Sequence, residues 1–288
     1  MRGLLVAGGH GTRLAPTTNA VNKHILPLYD KPLIFYPLCN LILAGASKIT
    51  IVSTSMGVEQ IKKLLGKTEV RLGIEVNYLI QDDPRGISHA ISLFCTSSEV
   101  AEPVLVIFGD NFFYGPSLGL ELGALENVKH AVCWTQVVKD PSNYGIAMKD
   151  LKGNVIEIVE KPTNSNGQDA VTGLYFFPSD LENKIRNIPI SLRGEFEITS
   201  LLSRYLDESL LECRELPRSV YWRDAGTPEN LLDVSQFVYS IQKRQQIPIG
   251  SPEEASWRRG FISDKQFAEL VKEMPLSEYR NLLEALLR

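Results

Sequence analysis

The chain has 288 residues, enough to bury a substantial core as one large domain or as a domain with an appendage. Its 30 basic and 34 acidic residues leave a net charge of −4, which gives no electrostatic footprint for nucleic acid. Any phosphate ligand must therefore be held by a local cluster of cations. Cys39, Cys95, Cys133 and Cys213 form no Cys-x-x-Cys pair, which suits reduced thiols in a cytoplasmic protein. The apolar start is too short for a signal peptide. No apolar run reaches the roughly 18–20 residues a membrane span needs, so no membrane partner is expected.

Residues 3–7 read as a buried strand that runs into a glycine-rich loop. Helical periodicity follows at 32–44, a strand at 48–53, a helix at 58–65, a strand at 74–80, a helix at 87–97 and a strand at 103–108. This alternation predicts a parallel, doubly wound α/β sheet covered on both faces. After about residue 130 the pattern changes. Strands are predicted at 131–138, 145–149, 154–159 and 170–177, then helices at 179–187, 197–207 and 227–246. Pro248, Gly250 and Pro252 break the chain, and 264–287 reads as a small amphipathic helical tail.

The loop after the first strand reads Ala7-Gly-Gly-His-Gly-Thr-Arg-Leu-Ala-Pro16. Gly8, Gly9 and Gly11 let backbone N–H groups, including that of Thr12, approach an anion without Cβ interference. Arg13 adds a planar fork of donors suited to phosphate oxygens, and Lys23 is close enough in sequence to fold over the same anion. The loop is neither a Walker A motif nor a Gly-x-Gly-x-x-Gly fingerprint. A solvated turn is the bland alternative.

Asp110 follows strand 103–108, at the carboxyl edge where open α/β sheets bind ligands. Asp224 follows Val220-Tyr-Trp and precedes Gly226. Brought together, these carboxylates would repel unless a cation lay between them, and Mg²⁺ is the hard ion expected beside a triphosphate. Turn capping is the competing role. His10, His24, His89 and His130 have no metal-ligand spacing, and Gly-x-Ser-x-Gly is absent.

Gly8-Gly-x-Gly-Thr-Arg-Leu-x-Pro16, Asn22-Lys23 and Leu26-Pro-x-x-Asp-Lys-Pro32 together resemble the signature of the sugar-1-phosphate nucleotidylyltransferases. Within that family the chain is most similar to the short-form glucose-1-phosphate thymidylyltransferases. Further matches follow in order: Gly109-Asp-Asn-x-Phe-Tyr-Gly115, Tyr144-Gly145, Glu160-Lys-Pro162, Val171-Thr-Gly-Leu-Tyr175, Arg193-Gly-Glu-x-Glu-Ile-Thr199 and Trp222-x-Asp-x-Gly-Thr227. The resemblance implies a Rossmann-like three-layer fold with a mixed, mostly parallel sheet. It implies a core over 1–246, with a nucleotide-binding part over about 1–130 and a sugar-binding part over about 131–246. The appendage at 247–288 would serve assembly as a homotetramer and, through Glu254 and Arg258, a second regulatory nucleotide site.

The implied reaction joins dTTP to α-D-glucose 1-phosphate and releases pyrophosphate. Arg13, Lys23, Asp110, Lys161 and Asp224 would be catalytic, with Mg²⁺ on Asp110 and Asp224. Gly8, Gly9, Gly11, Thr12, Arg13, Gln81 and Gly86 would bind the nucleotide. Asn111, Tyr144, Gly145, Glu160, Lys161, Val171, Arg193 and Trp222 would bind the sugar phosphate. Five positions depart from the thymidylyltransferase pattern: Arg85 stands in place of an acidic residue, His89 in place of a glutamine, His10 in place of a serine in the phosphate loop, and Arg223 and Ala225 flank Asp224 in place of Leu and Thr. His89 instead resembles the Gly-His-Ala run of uridylyltransferases, so UTP and other sugar-1-phosphates stay open. A dinucleotide-dependent oxidoreductase would need an acidic residue after the second strand, where Ser53-Thr54 stand. A non-catalytic sugar-nucleotide sensor would have no need of all five catalytic residues.

Overall fold

The computed structural model describes residues 1–66, 68–83, 85–97, 102–125, 127–163 and 167–287. β1 (Arg2–Val6) lies near the middle of a nine-stranded mixed sheet. Successive side chains alternate faces, so Leu5 joins one buried cluster and Leu4 the other. A two-stranded hairpin follows, β2 (Pro27–Leu28) with β3 (Lys31–Pro32). It delays the first helix, α1 (Phe35–Leu43), beyond the expected start at 32. Proline without an N–H and Tyr29 at φ 65° are turn chemistry, not helix.

The doubly wound half then continues as expected. β4 (Lys48–Ser53) leads to α2 (Ser55–Leu65), which begins earlier than predicted because Thr54 accepts the Gly57 N–H at 3.1 Å. After α3 (Thr68–Arg71) come β5 (Glu75–Ile80), α4 (Ile87–Ser97) and β6 (Val104–Phe108). β5, β4, β1 and β6 are parallel neighbours, with Leu5 opposite Ile51 on one side and Ile107 on the other. Their carboxyl ends share one edge, and the segments that leave it hold residues 7–23, 54, 81–83, 85–86 and 109–110.

β7 (Asn111–Tyr114) and α5 (Pro116–Gly123) complete this half. The next strands are β8 (Ala131–Val137), β9 (Gly145–Lys149), β10 (Val155–Glu160) and β11 (Asp169–Phe177). β11 runs antiparallel to β6 and extends the same sheet without a break. α6 (Leu181–Ile185), α7 (Ile198–Asp207), β12 (Leu211–Glu215), β13 (Tyr221–Asp224) and α8 (Pro228–Gln245) follow. β12 pairs parallel with β8, and β13 pairs antiparallel with β7.

The C-terminal tail is α9 (Pro252–Arg258), α10 (Asp264–Glu273) and α11 (Glu278–Ala285). α9 packs on α1, and Phe267, Leu270, Val271 and Leu283 enter the same apolar cluster as Leu38, Leu41 and Ile42. α4, α6 and α7 cover the opposite face of the sheet. The result is a three-layer α/β molecule whose tail completes one layer. Among the described residues no helix is long and apolar enough to cross a membrane.

Candidate active site

The glycine-rich loop turns on Gly9 at φ 87° and Gly11 at φ 63°. A Cβ at Gly11 would meet the Thr18 methyl at 3.0 Å, so this position needs glycine on two counts. The loop is anchored from below. Asn22 donates to Ser53 Oγ at 3.2 Å, and Ser53 donates to the Ala7 carbonyl at 2.6 Å. His24 is buried against Asn22, with Nδ1 at 2.8 Å from Asn22 Oδ1. Burial, and then the Lys23 charge, lower its pKa to about 3, so it is a neutral structural group. His10 instead faces out over a cleft of about 320 Å³ beside the loop, shared with Gly9, Thr12 and Lys23.

Each cation of the loop rests on one of the two aspartates. Lys23 Nζ donates to Asp110 Oδ2, and Arg13 donates to Asp224 Oδ2 at 3.2 Å. The β7–β13 pairing unites the carboxylates, since Asp224 lies opposite Asn111 in register. The Asp224 loop closes further when the Ala225 N–H donates to the Asp110 carbonyl at 2.8 Å and the Gly226 N–H to Asp224 Oδ1 at 2.7 Å. Burial raises the Asp110 pKa, but the charge and hydrogen bond of Lys23 outweigh it and hold the carboxyl well below the usual range. Asp224 is pushed up, first by burial and then by the Asp110 charge. Two carboxylates that feel each other while partly withdrawn from water suit a hard divalent cation. No group of three or more His, Cys, Asp or Glu forms a metal cluster among the described residues. A two-carboxylate set fits an ion that keeps waters and phosphate oxygens in its remaining positions.

A cleft of about 210 Å³ runs from Arg13, Asp110 and Asp224 to Tyr144, Glu160 and Lys161. Trp222 is buried, donates to Asn111 Oδ1 at 2.7 Å and meets Tyr144 edge-on at 5.5 Å. Asn111 in turn donates to Asp110 Oδ1 at 3.1 Å, which fixes the carboxylate plane. Glu160 accepts from Thr199 at 3.2 Å, and burial followed by the Glu197 charge raises its pKa. A Cβ at Gly145 would strike the Thr199 methyl at 2.7 Å. Lys161 holds φ 43°, a strained conformation for a side-chain-bearing residue. Val171 borders a bulge in β11 centred on Gly173 at φ 79°, where a Cβ would strike Phe108. Arg193 is absent from the lining of this cleft but pairs with Glu160, which lines it. It lies at the rim and is engaged by Glu160, Glu195 and Glu197 at 3.2–3.4 Å.

Gln81 and Gly86 lie together beside the phosphate loop, with Gln81 Nε2 donating to the Gly86 carbonyl at 3.1 Å. Gln81 is buried, and Gly86 at φ 98° has no room for a Cβ, which would lie 2.5 Å from the Phe196 carbonyl. Thr199, Gly173, Ser53 and Gly226 were not singled out as site residues from the sequence. Thr199, Gly173 and Gly226 sit inside matched motifs, which is the signal that could have raised them.

Cations able to meet a polyphosphate and carboxylates able to hold its metal, at the carboxyl edge of a doubly wound sheet, equip an enzyme that works at phosphorus. The sequence profile of the nucleotidyl transferases matches residues 2–241, and the chain belongs to that family. It is 40% identical over 287 residues to a glucose-1-phosphate thymidylyltransferase of Mycolicibacterium smegmatis, covering 100% of this chain and 99% of that one. Identity to the Neisseria meningitidis enzyme of the same name is 36% over 291 residues, covering all of both chains. A Bacillus anthracis crystal structure assigned as a glucose-1-phosphate thymidylyltransferase, solved with a sucrose, superposes with a TM-score of 0.74 at 31% identity. It covers 82% of this chain and 94% of that one. A UDP-glucose pyrophosphorylase structure with UDP-glucose, at 22% identity and TM-score 0.73, covers 83% of this chain and 98% of its own and shares the fold.

Proposed function

We propose that the chain condenses dTTP with α-D-glucose 1-phosphate to dTDP-glucose and pyrophosphate, by a single in-line displacement at the α-phosphorus with Mg²⁺. Support comes from one cleft that carries Arg13, Asp110 and Asp224 at one end and Glu160 and Lys161 at the other, with Lys23 paired to Asp110 behind it. The full-length likeness to thymidylyltransferases supports the choice of substrates.

The backbone N–H groups of Gly8, Gly9, Gly11 and Thr12, together with Arg13, take the β- and γ-phosphates and stabilise the departing pyrophosphate. Lys23 neutralises the same phosphates from the other side. Both cations pair with a carboxylate, Arg13 with Asp224 and Lys23 with Asp110, so the charges at this end of the site are compensated. Mg²⁺ held by Asp110 and Asp224 would supply polarisation of the α-phosphate. Lys161 draws in the attacking phosphate, whose oxygen is already anionic, so no general base is needed. Glu160 accepts from sugar hydroxyls. Gly145 and Val171 leave room for the ring, and Asn111, Tyr144 and Trp222 line its face. Arg193 orients Glu160 and stands ready for the sugar phosphate. Gln81 and Gly86 hold the base.

On this reading residues 1–130 handle the nucleotide and 131–246 the sugar, while 247–288 serve assembly of a cytoplasmic homotetramer. A panel of NTPs against several sugar-1-phosphates, scored by pyrophosphate release with and without chelator, tests the reaction. Turnover with dTTP and glucose 1-phosphate that chelator stops is expected, and no turnover with any pair sinks the proposal. Uridylyl transfer is the second reading, favoured by His89, which stands where the thymidylyltransferase pattern has a glutamine and resembles the Gly-His-Ala run of uridylyltransferases, and UTP in the same panel decides it.

A further inference from the structure

Gln81 caps β5 and is 4% exposed. Its side-chain Nε2 lies 3.1 Å from the Gly86 carbonyl and 2.9 Å from His89 Nδ1. A carbonyl only accepts, so the Gly86 contact fixes which end of the amide carries hydrogen. The second amide hydrogen then points at His89, whose Nδ1 must offer a lone pair while the ring proton sits on its Nε2. With both N–H groups used inside the protein, the amide has only Oε1 left to offer a ligand. That oxygen has no donor among the described residues and lies 3.3 Å from where a Cβ on Gly8 would stand. Gly8 has no Cβ, so the approach to Oε1 is open from the phosphate loop.

The His89 side of this arrangement is held firmly. Its ring lies 6.1 Å from the Phe196 ring. The Phe196 N–H donates to the Arg85 carbonyl at 2.7 Å, and the Ser88 N–H donates to the Phe196 carbonyl at 3.0 Å. Ser88 Oγ also donates to the Glu197 carbonyl at 2.8 Å. The chain around His89 is thus stitched on both sides to the segment that carries Glu197 and Thr199.

We propose that His89 is a specificity-determining positioning residue, an acceptor that locks Gln81 with Oε1 toward the base. The pocket then accepts a pyrimidine whose ring nitrogen carries hydrogen, as in thymine and uracil. It rejects cytosine, whose corresponding nitrogen presents a lone pair to Oε1. This rests on Gln81 being the base contact.

The test compares His89→Leu and His89→Gln with the wild type. It uses kcat and KM for dTTP, dCTP and glucose 1-phosphate, with calorimetric binding of dTTP and dCTP as a readout independent of turnover. Leucine removes the acceptor and lets the amide turn over. The preference for dTTP over dCTP should fall about tenfold in both kcat/KM and affinity, the scale of one hydrogen bond to a group left unpaired. The loss should appear in the nucleotide KM and leave the glucose 1-phosphate KM unmoved. Glutamine can still accept through its own Oε1 and should restore the preference. An unchanged dTTP-to-dCTP ratio in His89→Leu, or a uniform loss across nucleotides and sugar that His89→Gln does not rescue, overturns the proposal. Wild-type binding that does not discriminate the two bases overturns the role of Gln81 itself, a separate outcome.

Discussion

Asp110 and Asp224 bear the same charge in unlike surroundings, and the difference follows from their neighbours. Lys23 is in direct contact with Asp110 and holds its carboxyl down, while Asp224 feels burial and the Asp110 charge more than the half-exposed Arg13. Asp110→Asn and Asp224→Asn each remove one charge at nearly constant size. Each should lower kcat by roughly 100-fold or more, with circular dichroism unchanged, because a carboxylate that orders a metal-bound phosphate acts chiefly at the transition state. Near-normal turnover in either variant would remove that residue from the metal site. His24 gives a prediction about stability. Its folded pKa near 3 lies below the ordinary value of 6.5, so the unfolded chain takes up the proton first. The stability it confers is full above pH 6.5 and is lost as pH falls from there toward 3, by about 1.4 kcal/mol per pH unit. Urea unfolding at pH 7.5 and 5.5 should show this loss in the wild type and a smaller one in His24→Gln. Equal losses in both would assign the effect to other groups.

At the scale of elements, the short pieces make the site. Gly86 lies where the loop after β5 touches the Phe196 backbone, which links the loop bearing Gln81 to the segment ahead of α7. Gly86→Ala would need positive φ and a Cβ 2.5 Å from a carbonyl, so the loop must shift. The expected result is a dTTP KM raised roughly tenfold or more with kcat less affected, measured by initial rates. An unchanged KM would mean that the loop does not hold the base. The large parallel elements were legible because apolar runs such as Lys48–Ser53 and Ile87–Ser97 carry their own period and their own flanking turns. The β7–β13 pair was not. Each strand has four residues, its partner lies more than 100 residues away, and neither alternates in hydrophobicity over a useful length. Yet this pair sets Asp224 opposite Asn111, so the sequence could name both aspartates but not how they meet. Thr199 was hidden for a similar reason. It sits in the first turn of an amphipathic helix, and its contact with Glu160 is visible only after β10 and α7 pack.

At the scale of the whole molecule, the tail is bound into the core before it can serve any assembly. Lys31 is almost fully buried and donates to Asp30 at 2.5 Å and to Gln242 on α8 at 3.2 Å, while its ammonium lies 5.1 Å from the Tyr279 ring of α11. Tyr279 donates to Ser251 at 2.9 Å and contacts Glu253, so hairpin, α8, α9 and α11 share one polar network. Cutting the chain at 246 would strip Phe267 and Leu283 from the core, and a truncation would then report on folding, not assembly. The surface must be probed by point changes instead. α8 leaves Leu232 58% and Tyr239 48% exposed, apolar area that a tetramer contact would cover. A further cleft, of about 240 Å³, opens between α1, α5 and α9, with Glu254 and the exposed Arg258 on its wall and none of Arg13, Lys23, Asp110, Lys161 or Asp224 among its lining. Arg258 pairs with Glu254 at 3.4 Å and is the cation there able to meet a diphosphate. A regulatory role requires that a ligand in this cleft favour one state of the assembly over another, so it must raise or lower turnover without competing for the active site. Light scattering of the wild type at assay concentration should give a tetramer, and a monomer would reject the assembly. A dTDP-sugar titrated against the wild type should inhibit with a component that saturating dTTP does not relieve, and Arg258→Ala should lose that component while keeping its kcat. Inhibition that is purely competitive with dTTP and identical in the variant would leave the cleft without a regulatory ligand.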